Sequence, residues 1–147
     1  MKHTKEGRLF TDIVLEIFKL NGLLILEGDE LTKEQGLSSA RWKILGAISL
    51  SPTPMTVPQI ARNMGQTRQA VQRLVNEMEN DELLTFKNNP HHKKAKLVEL
   101  TLEGKNAYYQ LTQKQIPWAN SISSKITSSD LQLTLSVLLK LIDSLET

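Results

Sequence analysis

The sequence predicts a mainly α-helical chain that carries one β-hairpin. Apolar residues recur at helical spacing near both ends of the chain and in residues 38–50, and two short helices are indicated within residues 56–76. Residues 84–86 and 96–100 instead have the composition of two short strands. With 147 residues, 39% of them hydrophobic and 23% charged, the chain has the length and composition of one compact globular subunit.

The first predicted helix covers residues 6–27, where the apolar stripe is wider than one packing partner requires. This width indicates burial on more than one side of the helix. The Gly-Asp-Glu sequence at 28–30 breaks the pattern, and we expect the helix to end there. A second helix is expected to begin after Ser38 as its N-cap and to run to about Leu50.

Two short helices joined by a tight turn are predicted next, after a very short strand at Met55. Thr56 and a glutamine three residues later form a capping-box pattern at the start of the first helix. Gly65 suits the left-handed C-cap of that helix, and Thr67 suits the N-cap of the second. Two helices joined through such a glycine turn are typical of a helix-turn-helix.

The second helix of this pair has two chemically different faces. Its apolar stripe consists of Val71, Leu74, Val75 and Met78. Its polar face consists of Gln69, Gln72, Arg73 and Asn76. An ordinary exposed helix mixes glutamate with lysine, whereas this one has no acidic residue before Glu77. A helix with one buried face and one face of amides and guanidinium fits the major groove of DNA.

The polar residues divide by the DNA group that each can recognise. Arginine can bridge guanine O6 and N7, and glutamine can pair with adenine. The residues expected on base edges are Gln69, Gln72 and Arg73. Phosphate contacts position a protein without specifying sequence. The residues expected on phosphates are Thr67, Arg68 and Asn76.

The predicted hairpin is joined by a polar, basic loop with turn chemistry at Asn89-Pro90. A hairpin beside a helix-turn-helix is a wing. We expect Lys87, Lys93 and Lys94 to contact phosphates there, and a solvated basic loop is the alternative. Residues 35–98 hold nine basic and four acidic residues, which gives +5 against a net charge of +2 for the whole chain. This distribution favours a nucleic-acid face in the centre of the chain.

Two further helices are predicted after the wing. Thr101 is expected to cap a helix that begins at Leu102, and Pro117 is expected to kink or interrupt it. Ser128 or Ser129 is expected to cap the last helix. The apolar seam of that last helix consists of Leu131, Leu135, Leu138, Leu139 and Ile142.

This order of elements resembles the MarR (multiple antibiotic resistance regulator) family of winged-helix transcription factors over nearly the whole chain. The segments that carry the resemblance are GLSSARWKILGAI, TVPQIARNMGQTRQAVQRLVNEMENDELL and AKLVELTLEGKNAY. Leu100, Thr101 and Gly104 match the leucine-threonine-x-x-glycine step that ends the family's wing. After Pro90, however, two histidines and two lysines replace the family's aspartate and arginines. Because lysine lacks arginine's planar fork, minor-groove readout by this wing is left open.

The resemblance implies a homodimeric, sequence-specific regulator of transcription that binds a palindromic operator in double-stranded DNA and, by family tendency, represses. It implies an N-terminal dimerisation helix and linker in residues 1–36, a winged helix-turn-helix in 37–101 and C-terminal dimerisation helices in 102–147. Dimerisation would place two recognition helices about 34 Å apart. The family also binds small, commonly aromatic ligands, and Trp42 lies on the helix that would line such a cleft. A core role for Trp42 is the alternative.

Several function classes find no support in the sequence. No catalytic constellation and no glycine-rich phosphate loop is present, so we do not expect an enzyme or a cofactor. The chain has no cysteine, and its three histidines are His3 and the adjacent pair His91 and His92, which make a poor ligand set. We therefore expect no metal site. No apolar run approaches the ~20 residues of a membrane span, and no signal peptide is seen, so we expect a cytoplasmic protein. The alternative function is a winged-helix module that binds protein instead of DNA.

Overall fold

The computed structural model describes residues 1–146, so Thr147, the last residue of the predicted 102–147 region, lies outside it. Its elements are α1 (Lys5–Thr32), α2 (Ser39–Leu50), β1 (Met55–Thr56), α3 (Val57–Met64), α4 (Arg68–Asn80), β2 (Leu84–Lys87), β3 (Leu97–Leu100), α5 (Leu102–Ser123) and α6 (Ser128–Leu145). One 3₁₀ turn, Lys33–Gln35, follows α1. The predicted mainly α fold with a hairpin wing is confirmed.

The three strands form one antiparallel sheet in the order β1-β3-β2. Val98 of β3 lies between Met55 of β1 and Phe86 of β2, so the short strand predicted at Met55 joins the wing to the start of α3. Val98 is fully buried. The sheet therefore ties the base of the wing to the helix-turn-helix.

The chain divides into two compact units, residues 1–112 and the residues that follow. The first unit holds the hydrophobic core, whose fully buried side chains come from α2, α3, α4 and the sheet, with Leu111 added from α5. They include Ile44, Leu45, Ile60, Val71, Val75, Met78, Leu84 and Val98. Because α4 contributes three of these side chains, its inner face is fixed by packing that costs several kcal/mol to disrupt.

The expectation that the first helix ends at residues 28–30 is wrong, because α1 continues to Thr32. Gly28 is the point of closest approach to α2, and a Cβ there would collide with the Oγ of Ser39. That hydroxyl donates to the carbonyl of Ile25 at 2.7 Å, and the carboxylate of Asp29 accepts the N–H of Ser39 at 2.8 Å. The glycine and the aspartate thus join two helices and do not terminate one.

Two predictions about the C-terminal helices are also corrected. Of the kink or interruption expected at Pro117, the interruption is wrong, since α5 runs through this residue from Leu102 to Ser123, and the kink stays a prediction. A single proline removes one backbone hydrogen bond, and the turns on either side keep theirs. The N-cap of α6 is Thr127, whose hydroxyl accepts the N–H of Asp130 at 3.2 Å, and not Ser128 or Ser129. Those serines are already helical.

Candidate nucleic-acid interface

The helix-turn-helix is held by local caps that the sequence predicts. Thr56 accepts the N–H of Gln59 at 3.4 Å and donates its own N–H to the Oε1 of Gln59 at 2.9 Å, which confirms the capping box. Gly65 ends α3 in the left-handed region with φ 63°. Thr67 begins α4 by accepting the N–H of Ala70 at 3.2 Å. These caps fix the residue at which α4 starts and therefore the side chains that its outer face presents.

The two predicted faces of α4 are confirmed. Val71, Val75 and Met78 are buried in the core, and Leu74 is half-buried. The polar side chains Gln69, Gln72, Arg73 and Asn76 are all exposed. The outer face of α4 therefore offers amide and guanidinium donors to an incoming partner, and its first turn carries no acidic residue.

Two members of this polar face are hydrogen-bonded to each other. The Nε2 of Gln72 donates to the Oδ1 of Asn76 at 2.9 Å, across the i, i+4 spacing of neighbouring turns. Gln72 keeps its Oε1 and a second N–H for another partner, and Asn76 keeps both of its own N–H groups. The bond therefore holds two side chains in a defined arrangement without consuming the groups that would bind DNA.

The wing tip is organised by its own turn. The Oδ1 of Asn89 accepts the N–H of His91 at 3.0 Å, and the carbonyl of Asn89 accepts the N–H of His92 at 3.3 Å. Asparagine followed by proline at these positions is typical of a hydrogen-bonded turn. The tip thus has backbone bracing at the place where the family's aspartate and arginines are missing, while His91, His92 and Lys93 remain exposed.

The outer face of α4 and the wing meet in a cavity of about 550 Å³. Gln72 and Asn76 line it from α4, and Lys94 lines it from the wing. The start of α3, at residues 56–58, forms a third wall. The structure therefore brings together three residues that the sequence analysis assigned separately to base edges, phosphates and the wing.

The remaining predicted contacts do not line this cavity, but each is exposed to solvent. They are Thr67, Arg68, Gln69 and Arg73 on or beside α4, and Lys87 and Lys93 in the wing. Exposure is what a contact to an external partner requires. It does not distinguish bases from phosphates, so the individual assignments stay predictions.

Two charged residues of the cavity were not predicted as site residues. Lys96 lines it beside Lys94, and its position in the basic run before β3 was the available signal. Glu79 contributes a carboxylate to the same lining. The cavity therefore combines two cations with one acidic group, and that acid opposes the approach of a phosphate.

The leucine-threonine-x-x-glycine step has a structural role at the base of the wing. Thr101 caps α5 by accepting the N–H of Gly104 at 3.0 Å, and its hydroxyl donates to the carbonyl of Glu82. Its N–H donates to the carbonyl of Leu83 at 3.1 Å. A Cβ at Gly104 would collide with that same Leu83 carbonyl. This step thus attaches the turn after α4 to the end of β3.

Trp42 lies at the edge of the core, where it is half-buried. Its ring lies against α1 at Gly28, within van der Waals reach of a side chain at that position. This packing matches the core role given above as the alternative, and a ligand role for Trp42 stays a prediction.

Among residues 1–146, no group of three or more histidine and acidic side chains is placed to hold a metal ion. Within the same described part of the chain, no helix combines the length and the apolar character that a membrane crossing needs.

Comparisons with known proteins identify the family. A sequence model of the MarR family matches residues 35–95. An uncharacterised protein of Mycobacterium tuberculosis is 33% identical over 134 residues, which cover 91% of this chain and 92% of that protein. The transcriptional activatory protein BadR of Rhodopseudomonas palustris is 26% identical over 144 residues, covering 95% of this chain and 79% of that protein.

Solved structures share the fold at lower identity. A MarR/EmrR family regulator from Acinetobacter sp. ADP1 superposes with a TM-score of 0.83 at 19% identity, covering 94% of this chain and 97% of that one. CouR from Rhodococcus jostii RHA1, solved with p-coumaroyl-CoA, gives a TM-score of 0.79 at 17% identity, covering 89% and 92%. The sequence matches show that the chain belongs to the MarR family of transcription regulators, and the structural matches agree with the element order already described and show its winged-helix fold.

Proposed function

We propose that this chain is a homodimeric, sequence-specific DNA-binding regulator of transcription that represses its target genes. The observation that carries the proposal is the cavity between α4 and the wing, where Gln72, Asn76, Lys94 and Lys96 share one surface. Amides read base edges and ammonium groups neutralise phosphates, so this surface combines the two chemistries that a DNA groove requires.

Within this proposal the contacts divide by chemistry. Gln69, Gln72 and Arg73 read base edges in the major groove. Phosphate contacts come from the start of α4, from its last polar turn and from the wing. These residues are Thr67, Arg68, Asn76, Lys87, Lys93 and Lys94. Residues 37–101 thus form the DNA-binding region, and because its target would be chromosomal DNA, we expect the protein to act in the cytoplasm.

Dimerisation is supported by apolar side chains left in solvent on the terminal helices. In α1, Phe18 and Leu26 are each 68% exposed, and in α6 Leu133 is 65% exposed. The whole predicted seam of α6, from Leu131 to Ile142, is also exposed. Contiguous apolar faces of this kind mark interaction sites. We assign residues 1–36 and 102–147 to contacts with a second copy, because a palindromic site requires two recognition helices.

The direction of regulation is proposed as repression, in line with the family's tendency. BadR, named as an activatory protein, is a relative in which the opposite direction is recorded. A reporter gene under the selected operator, with and without the protein, decides between the two. Lower expression with the protein supports repression, and higher expression contradicts it.

Release by a small aromatic ligand is the remaining part of the proposal. A cleft of about 360 Å³ lies between α1, α2 and the helix-turn-helix, a volume that suits a small ligand. Ile25, Met64 and Leu74 give it apolar walls, and Lys43 adds a cation. The carboxylate of Asp29 also lines the cleft and offsets the charge of Lys43, so it is the apolar walls that suit an aromatic ring. CouR, a neighbour in fold, was solved with an aromatic acyl-CoA.

One experiment tests the core of the proposal. Purified full-length chain is used to select bound fragments from genomic DNA, and the enriched fragments are titrated at several salt concentrations. We expect one palindromic sequence and an affinity that falls steeply as salt rises, because phosphate contacts release counterions. A protein-binding winged helix would instead enrich no fragment and show no steep dependence on salt.

A further inference from the structure

The C-terminal end of α4 carries an unfavourable arrangement of charge. Its last turn contains Glu77 and Glu79, its C-cap is Asp81, and no basic residue lies in that turn. The C-terminus is the negative end of the helix dipole, so acidic residues destabilise it and a cation stabilises it. The helix that would enter the groove therefore depends on a cation from elsewhere in the fold.

Arg41 of α2 supplies that cation. Its Nη1 donates to the Oδ2 of Asp81 at 2.6 Å, and its Nη2 lies 3.9 Å from the Oε2 of Glu77. The arginine side chain is only 20% exposed, whereas the two carboxylates are about half exposed, at 48% and 51%. A short, charge-assisted bond from a largely buried guanidinium stabilises more than an ordinary surface ion pair.

The backbone of Arg41 is itself fixed. Its N–H donates to the Oγ of Ser38 at 3.3 Å in the first turn of α2. The neighbouring Ser39 is bonded to α1 through Asp29 and Ile25. The guanidinium therefore reaches α4 from a turn whose backbone is fixed. Because that turn is fixed, the ion pair can determine where the end of α4 lies relative to α2.

Asp81, the C-cap of α4, is the first residue of the turn that leads into the wing. The next residue, Glu82, has φ 63°, a left-handed conformation that is strained for a residue other than glycine. The carbonyls of Glu82 and Leu83 are held by Thr101 at the end of β3. The contact from Arg41 thus lies at the junction between α4 and the wing.

We propose that Arg41 is a positioning residue that fixes the position of α4 and of the wing relative to α2. Operator recognition then depends on a side chain that does not contact DNA. This inference rests on the proposed function. The competing interpretation is that Arg41, one of the nine basic residues within residues 35–98, binds a phosphate. The two interpretations differ in salt dependence, because only a phosphate contact releases counterions.

The test uses full-length Arg41→Gln, Asp81→Asn and the double variant, with Lys105→Gln as the matched control. Lys105 is an exposed cation of the same unit that makes no ion pair among the described residues. Affinities for the selected operator and for random duplex are measured across a salt series. We expect each single variant to weaken operator binding about tenfold, with an unchanged salt slope and little loss on random DNA. The double variant should be no weaker than either single variant.

A charge exchange keeps the proposal testable if the neutral variants fold poorly. Arg41→Asp combined with Asp81→Arg should restore operator binding that Arg41→Asp alone abolishes. A salt slope that falls by about one unit in Arg41→Gln would assign the residue to phosphate and overturn the proposal. So would additive losses, or full operator affinity in Arg41→Gln. If the wild type and Lys105→Gln bind no duplex, the proposed function fails first, and this inference fails with it.

Discussion

Gln72 and Asn76 are joined side chain to side chain on the outer face of α4, with the Nε2 of Gln72 2.9 Å from the Oδ1 of Asn76. The bond links a residue that we assign to base edges with one that we assign to phosphate. Asn76 therefore has two roles in the proposed complex, because it contacts the backbone and orients the amide that reads a base. The two roles predict different effects on specificity: loss of a phosphate contact weakens binding to every sequence equally, whereas loss of the orienting bond weakens operator binding most.

Replacing Asn76 tests the orienting role. Asn76→Ala should weaken binding to the selected operator by about 1 kcal/mol more than binding to random duplex, because Gln72 loses its hydrogen-bond partner. Competition titrations with both duplexes measure the difference. Asn80→Ala, an exposed asparagine one turn further along α4, is the control and should bind like the wild type. Equal losses on both duplexes would leave Asn76 with the phosphate role alone.

Arg73 and Lys94 should differ in the kind of loss that they cause. Arg73→Ala should relax preference at one base pair by about 1–3 kcal/mol, because a bidentate contact to guanine is lost. Lys94→Ala should weaken binding to every sequence and lower the salt slope by about one unit, because a point charge on phosphate is lost. Selection from a randomised operator library and a salt series separate the two effects. Wild-type behaviour of both variants would remove both assignments.

Glu79 is the acidic residue in the cavity between α4 and the wing, so its removal should strengthen DNA binding. Glu79→Gln keeps the shape of the side chain and removes the charge that repels phosphate. We expect about a threefold to tenfold higher affinity for random duplex at low salt, with the gain shrinking as salt rises. Glu103→Gln, an exposed acid in the first turn of α5, controls for net charge. A similar gain from both variants would show a general charge effect.

The helix-turn-helix could be predicted from the sequence because its determinants are local. The Thr56 capping box, the left-handed Gly65 and the Thr67 cap each depend on residues within four positions of one another. Propensity and hydrogen-bonding geometry act at this range. For the same reason the apolar and polar faces of α4 were assigned correctly from their spacing.

Contacts between distant segments could not be predicted in the same way. Glycine is a residue type that often ends a helix, but the role of Gly28 is determined by its close contact with Ser39 on another helix. Arg41 is one of the nine basic residues within residues 35–98, yet it pairs with Asp81, which lies 40 residues further along the chain. Lys96 lines the cavity because the folded hairpin places it beside α4, which its position in the sequence does not indicate. In each case the partner is determined by packing and not by sequence spacing.

Gly104 should be essential to the attachment of the wing. Gly104→Ala forces a methyl group against the carbonyl of Leu83, and we expect about 1–3 kcal/mol of destabilisation from the displaced turn. Urea unfolding measures the change. Gly46→Ala is the matched control, because a Cβ there meets only Tyr108 at 3.6 Å in ordinary contact. In the interior of α2 that substitution should stabilise by about 0.5–1 kcal/mol. Equal effects of the two substitutions would contradict the close approach at Gly104.

The central claim is that two copies of this chain present the polar face of α4 to one duplex. A cleavage-protection footprint on the selected operator, recorded at low and at high salt, tests it most directly. We predict two protected half-sites in successive major grooves, about 10 base pairs apart, both lost as salt rises. A single protected groove, or no protection even at low salt, would contradict the account.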